Sequence, residues 1–167
     1  MKTKQKTIAL CRAAMIAALY TVLTWLCGAL GLANMTPQLR FSEALCILPF
    51  FLPEAVWGLT VGCFLSNLLV SGGIWADVIF GTLATLLGAL GTYAMRSLKG
   101  KLRFLCTLPP ILANTVIVPF VLQYAYGFGD GGWLLAAGVG AGEVLSVGVL
   151  GILLMLALEK RSFWKKT

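Results

Sequence analysis

The 167-residue chain contains no histidine, and only six acidic side chains stand against thirteen basic ones. Without histidine the commonest acid-base group and a principal zinc ligand are missing, which counts against both kinds of hydrolytic chemistry. The five cysteines, Cys11, Cys27, Cys46, Cys63 and Cys106, are odd in number, widely spaced and free of any CxxC pair. They read as small packing residues, with neither a disulfide framework nor a metal knuckle. No GxxxxGK[ST] phosphate loop occurs, so the chain carries no such ATPase of its own. No mostly polar stretch is long enough for a soluble domain, and no paired short, interrupted helices mark an inverted-repeat transporter.

What the chain does have is apolar surface. It is 59% hydrophobic and 11% charged, with a mean hydropathy of +0.92, far from the balance of a soluble domain. Runs near twenty residues fit a bilayer core of roughly 30 Å, because a helix satisfies its own backbone hydrogen bonds there. The composition predicts an all-α integral membrane protein forming a single membrane domain over 1–167.

The net charge of +7 would point to nucleic acid in a soluble protein, but its distribution excludes that partner. Twelve basic residues form three groups: Lys2, Lys4, Lys6 and Arg12; Arg96, Lys99, Lys101 and Arg103; Lys160, Arg161, Lys165 and Lys166. Short basic loops stay cytoplasmic, so each interval between groups must hold an even number of spans. The fit is six transmembrane helices at about 7–32, 42–52, 53–70, 77–96, 104–126 and 133–159, with both termini cytoplasmic. Pro49 and Pro53 support the break after the second helix, and "SGGIWAD" the next one. The second helix is too short to cross alone, so it must tilt, be buried, or be continued by ordered loop. A cleaved signal peptide is set aside because its apolar stretch is too long and its removal would break the even count.

Polar residues inside such spans are costly and therefore informative. Arg40 and Glu43 stand three apart at the start of the short helix. They read either as a helix-start device with Ser42 as cap or as a polar wall on the outer side. Asn67, Asn114 and Gln123 suit interhelical hydrogen bonds, and Asp77 suits a helix cap. Glu143, in "VGAGEVLSVG", is harder to assign to packing, since no cation lies near it in sequence. It must be protonated, meet a partner, or face a polar cavity.

Small residues four apart permit close helix approach. Ala13 and Ala17 form such a stripe with Ala9, and Ala14 with Ala18 the adjoining one, near the cytoplasmic end of the first helix. Gly58 with Gly62, and Gly138 with Gly142, repeat the spacing and read as packing within the bundle. For the alanines an external partner is equally compatible. Trp25, Trp75, Trp133, Tyr124 and Tyr126 fall toward the outer side, as an interfacial belt or, for one or two such as Trp75, a stacking wall for a planar ligand.

Four segments carry a resemblance in register: "LRFSEALCILPFFLPEAVWGLTVGCFLSNLL", "GGIWADVIFGTLATLLGALGTYAMR", "LPPILANTVIVPFVLQY" and "GAGEVLSVGVLG". Together they resemble the QueT family of proposed queuosine-precursor transporters, and the alanine stripe resembles the AxxxA element of energy-coupling factor (ECF) substrate-binding subunits. The resemblance implies a six-helix S component that binds a vitamin-like molecule, binds no cofactor itself, and docks on a T subunit with two ATPases that use ATP. Ala13, Ala14, Ala17 and Ala18 would face the T subunit. A 7-deazaguanine such as preQ1, preQ0 or queuine offers two adjacent ring donors, for which Glu143 is the natural carboxylate acceptor. Asn114 and Gln123 would support it, and Glu43 or Asp77 would match an aminomethyl cation. Arg40, Asn67 and Trp75 complete the candidate set. Alternatives are an S component for riboflavin, thiamine or biotin, a stand-alone transporter or channel, and an intramembrane acid-base enzyme using Glu43, Asp77 and Glu143.

Overall fold

The computed structural model describes residues 2–32, 39–70, 74–125, 127 and 132–160, all helix and connecting turn. Tyr126, Arg161, Lys165 and Lys166 lie outside the described residues. Among those described there are six helical rods, here α1 (Lys2–Ala29), α2 (Phe41–Phe50), α3 (Ala55–Val70), α4 (Asp77–Ser97), α5 (Gly100–Tyr124) and α6 (Gly132–Glu159). Four of them, α1, α4, α5 and α6, are long and apolar enough to cross a membrane, while α2 and α3 are shorter.

Close approach of α1 and α3 follows from glycine. A Cβ on Gly58 would lie 2.7 Å from the Ala13 carbonyl oxygen, and one on Gly62 would lie 2.9 Å from that of Ala17 and 2.8 Å from Tyr20 Cβ. Any larger residue at those two positions would push the helices apart. The stripe is thereby divided: Ala17 is buried and Ala13 half-buried against α3, whereas Ala14 and Ala18 are exposed. On α4, Gly88 seats Pro110 of α5 in the same manner, with a Cβ position 2.6 Å from the proline Cα. Pro110 sits in the first α-helical turn that follows the 3₁₀ stretch Gly100–Thr107, where a missing N–H costs little.

The ten residues of α2 form a 3₁₀ helix with Pro49 inside it. At roughly 2.0 Å rise per residue such a helix extends about 20 Å, further than an α-helix of equal length but short of the hydrocarbon core. It need not span, because it is enclosed by protein: Ser42, Glu43, Cys46, Ile47, Leu48 and Pro49 are all buried. Around it the core is built from Tyr20, Leu59, Cys63, Ala89, Cys106, Val147 and Met155. The outside of the bundle is apolar instead, with Leu10, Trp57, Leu69, Val116, Phe120 and Leu153 exposed. That inversion of soluble-protein surface makes this a multi-pass membrane protein.

The two ends differ in chemistry. Arg12 pairs with Glu54 at 3.2 Å and Arg103 with Glu159 at 2.9 Å. Arg12 and Glu54 share a cleft with Arg96, so the start of α1, the α4–α5 connection and the end of α6 meet at one basic end. Trp25, Trp75, Tyr124 and Trp133, all exposed, lie at the helix ends opposite. Trp57 is exposed near the basic end as well; clustered basic residues and interfacial Trp and Tyr are features a bilayer favours.

Candidate functional site

Toward the aromatic end, five helices bring polar side chains into the otherwise apolar interior. Glu43 of α2 is their hub and is 2% exposed. One carboxylate oxygen accepts a short hydrogen bond from the Tyr20 hydroxyl of α1. The other accepts from the Cys46 thiol at 3.2 Å and from the Asn114 amide of α5 at 3.4 Å. One turn along α1, Thr24 donates to the Ser42 hydroxyl at 2.7 Å, so α1 holds α2 at two levels.

Glu143 of α6 faces the same space. A small cavity of about 10 Å³ is lined by Arg40, Glu43, Thr85, Asn114, Val139 and Glu143, room for roughly one water molecule. Among the described residues, Glu143 Oε2 is buried with no hydrogen-bond donor in reach, and the Arg40 Nε–H is buried with no acceptor in reach. Unmet hydrogen-bonding atoms on a buried carboxylate and a buried guanidinium are each expensive, of order 1–3 kcal/mol or more. Asp77 and Glu43 favour the Arg40 charge electrostatically, and a guanidinium keeps its proton in proteins. Arg40 therefore remains a fixed cation beside the carboxylates.

Wide π-helical turns flank this space. Asp77–Gly81 opens α4, and Val144–Gly151 follows Glu143 directly in α6. Each π turn shifts the helix face by the insertion of a residue, and here the shift lies next to a buried acid. Ser146 within the second π stretch is fully buried, and its hydroxyl has no partner among the described residues.

The structure gathers Arg40, Glu43, Asn114 and Glu143 around one cavity. Asp77 and Asn67 stand behind its wall: the Asn67 amide donates to the Asp77 carbonyl at 3.2 Å, and a Cβ on Gly81 would lie 2.6 Å from that amide nitrogen. Gln123 is elsewhere, packed where a Cβ on Gly132 would lie 2.9 Å from its Oε1. Nine residues separate it from Asn114, about 13 Å along a helix. Trp75 is 66% exposed and does not line the cavity. Sequence reasoning missed Tyr20, Thr85 and Cys46. Tyr20 was findable, since it continues the Ala13 and Ala17 stripe at helical spacing and so shares the buried face.

Two carboxylates, an amide and a guanidinium thus meet in the buried core of a multi-pass helical membrane protein, where such groups are costly. The chain belongs to the QueT transporter family: the family model described as QueT transporter matches residues 10–160, and the family is one of transporters rather than enzymes. A relative, the queuosine precursor transporter QueT of Lactococcus lactis subsp. cremoris (strain MG1363), is 39% identical over 83 residues, covering 50% of this chain and 48% of the relative. The chain thus spans about half the length of that relative in the match. No solved structure matches the chain.

Proposed function

We propose that this chain is the substrate-binding membrane subunit, the S component, of an ECF-type importer that takes up a queuosine precursor, with both termini cytoplasmic. The observation that carries the substrate reading is the orphaned acceptor, Glu143 Oε2, beside Asn114 and Glu43. A 7-deazaguanine presents N1–H and a 2-amino group as neighbouring donors, and a carboxylate accepts both in parallel. Asn114 then completes the 6-oxo edge, and Glu43 on the cavity wall balances an aminomethyl cation. The 39% identical relative bears the same substrate class in its name.

With only about 10 Å³ between these groups, against the 300 Å³ or more of an ordinary ligand pocket, the site opens before it binds. The basic end supports the orientation through the positive-inside rule, and exposed Ala14 and Ala18 supply a flat strip for a T subunit. ATP is hydrolysed by partner subunits in this reading.

Mass spectrometry of small molecules released from gently purified protein tests the substrate. A 7-deazapurine is expected; a flavin, thiamine or biotin would overturn the assignment. Glu143→Gln is expected to weaken 7-deazaguanine binding at least tenfold, about 1.4 kcal/mol, with the helical bundle intact by circular dichroism. Unchanged affinity would remove Glu143 from the site.

A further inference from the structure

At the basic end, away from the buried site, a cleft of about 570 Å³ is lined by Arg12, Arg96, Ser97, Glu54 and the apolar run Phe50–Pro53. We propose that this cleft binds the headgroup of an anionic phospholipid, with the guanidinium of Arg96 and the Arg12 side of the Arg12–Glu54 pair on the phosphate and the Phe50–Pro53 wall against the upper acyl chain.

The cleft combines two chemistries that a lipid also combines. Phe50 and Phe51 stand edge-to-face at 5.3 Å and 75°, giving a rigid apolar wall. Arg96 is exposed and its guanidinium lies over the Tyr93 ring, 4.4 Å from the centroid, so it is positioned without a carboxylate partner among the described residues. Arg12 is held in place at the rim by Glu54, at 3.2 Å, and its side chain remains 35% exposed. Ser97 adds a hydroxyl. A planar guanidinium recognises a phosphate through paired N–H donors, and an aromatic face beneath it keeps the fork oriented.

Position favours a lipid over other anions. The Arg12–Glu54 and Arg103–Glu159 pairs mark the level at which the bundle changes from apolar to charged, which in a bilayer is the headgroup layer. Basic pockets between helices at that level attract anionic headgroups, and Lys4, Lys6 and Lys101 add to the local field. A free phosphate would use the arginines but not the phenylalanine wall; an acidic protein partner would use the rim but not the depth.

Native mass spectrometry of the full chain in detergent, with phosphatidylglycerol and phosphatidylcholine of matched acyl chains, distinguishes these. Phosphatidylglycerol is expected to be retained preferentially, and Arg96→Gln to reduce that preference about fivefold. Lys99→Gln, outside the cleft lining, is expected to leave it unchanged. Millimolar inorganic phosphate should not displace the lipid; displacement would assign the site to free phosphate and overturn the proposal. Equal retention of both lipids, or the same loss in Lys99→Gln as in Arg96→Gln, would also overturn it by showing only a diffuse basic surface. Because Arg96 is exposed, the variant is expected to fold, which an unchanged circular dichroism spectrum checks.

Discussion

Glu43 is held by three donors from three positions, Tyr20, Cys46 and Asn114, whereas Glu143 a helix away keeps an oxygen unclaimed among the described residues. The contrast separates a carboxylate that organises the site from one available to a ligand. Tyr20→Phe deletes the donor that ties α1 to α2 and leaves a buried acceptor short of a partner. Stability is expected to fall by about 1–3 kcal/mol, read as a lower unfolding temperature in detergent with helix content unchanged. An unaltered midpoint would show that Cys46 and Asn114 satisfy Glu43 without the phenol. Glu143 was legible in the sequence because a lone acid in an apolar run has few innocent explanations. Gln123 looked equally suitable and was not gathered in, since composition gives a residue's depth in the span but not the direction its side chain faces. Tyr20 was overlooked for the opposite reason: an aromatic in a membrane helix is ordinary until a neighbouring helix supplies a carboxylate.

Among the elements, α2 shows how a helix too short to cross can still be central. Ten residues in 3₁₀ form carry Glu43 inward, and the surrounding helices supply what the bilayer could not. Its place in the order was readable from Pro49, Pro53 and the parity of the charge groups; its 3₁₀ form and the π turns were not, because hydrophobic periodicity over five to ten residues does not resolve one helical pitch from another. The α1–α3 contact was readable as spacing, and geometry now makes it testable. At Gly62 a Cβ would meet Tyr20 Cβ at 2.8 Å and Ala17 backbone at 2.9 Å, while at Gly148 the nearest atom is 3.7 Å away. Gly62→Ala is expected to cost about 1–3 kcal/mol by forcing the helices apart. Gly148→Ala is expected to be neutral or mildly stabilising, since alanine removes backbone freedom from the unfolded chain. Parallel unfolding of both variants checks the pair, and equal stability would mean that α1 and α3 separate more readily than their packing indicates.

For the whole molecule the decisive surface is α1, whose inner side serves the site and whose outer side is exposed among the described residues. Ala17 and Tyr20 face inward against α3 and Glu43, whereas Ala14 and Ala18 lie open alongside exposed Leu10, Met15 and Val22. A stripe of four alanines read from sequence alone could not be divided in this way, because the same four-residue spacing serves an internal and an external partner equally. The division yields a discriminating experiment on docking. Ala18→Leu or Ala14→Leu adds bulk only to the open side, so it is expected to abolish co-purification with a T subunit and its ATPases while the isolated chain keeps its thermal stability and ligand affinity. Ala17→Leu adds the same bulk where Gly62 leaves no room, and is expected to lower the stability of the isolated chain by about 1–3 kcal/mol whether or not a partner is present. If Ala14→Leu and Ala18→Leu leave the assembly intact, the open alanines face lipid alone and the proposed docking through this face is overturned.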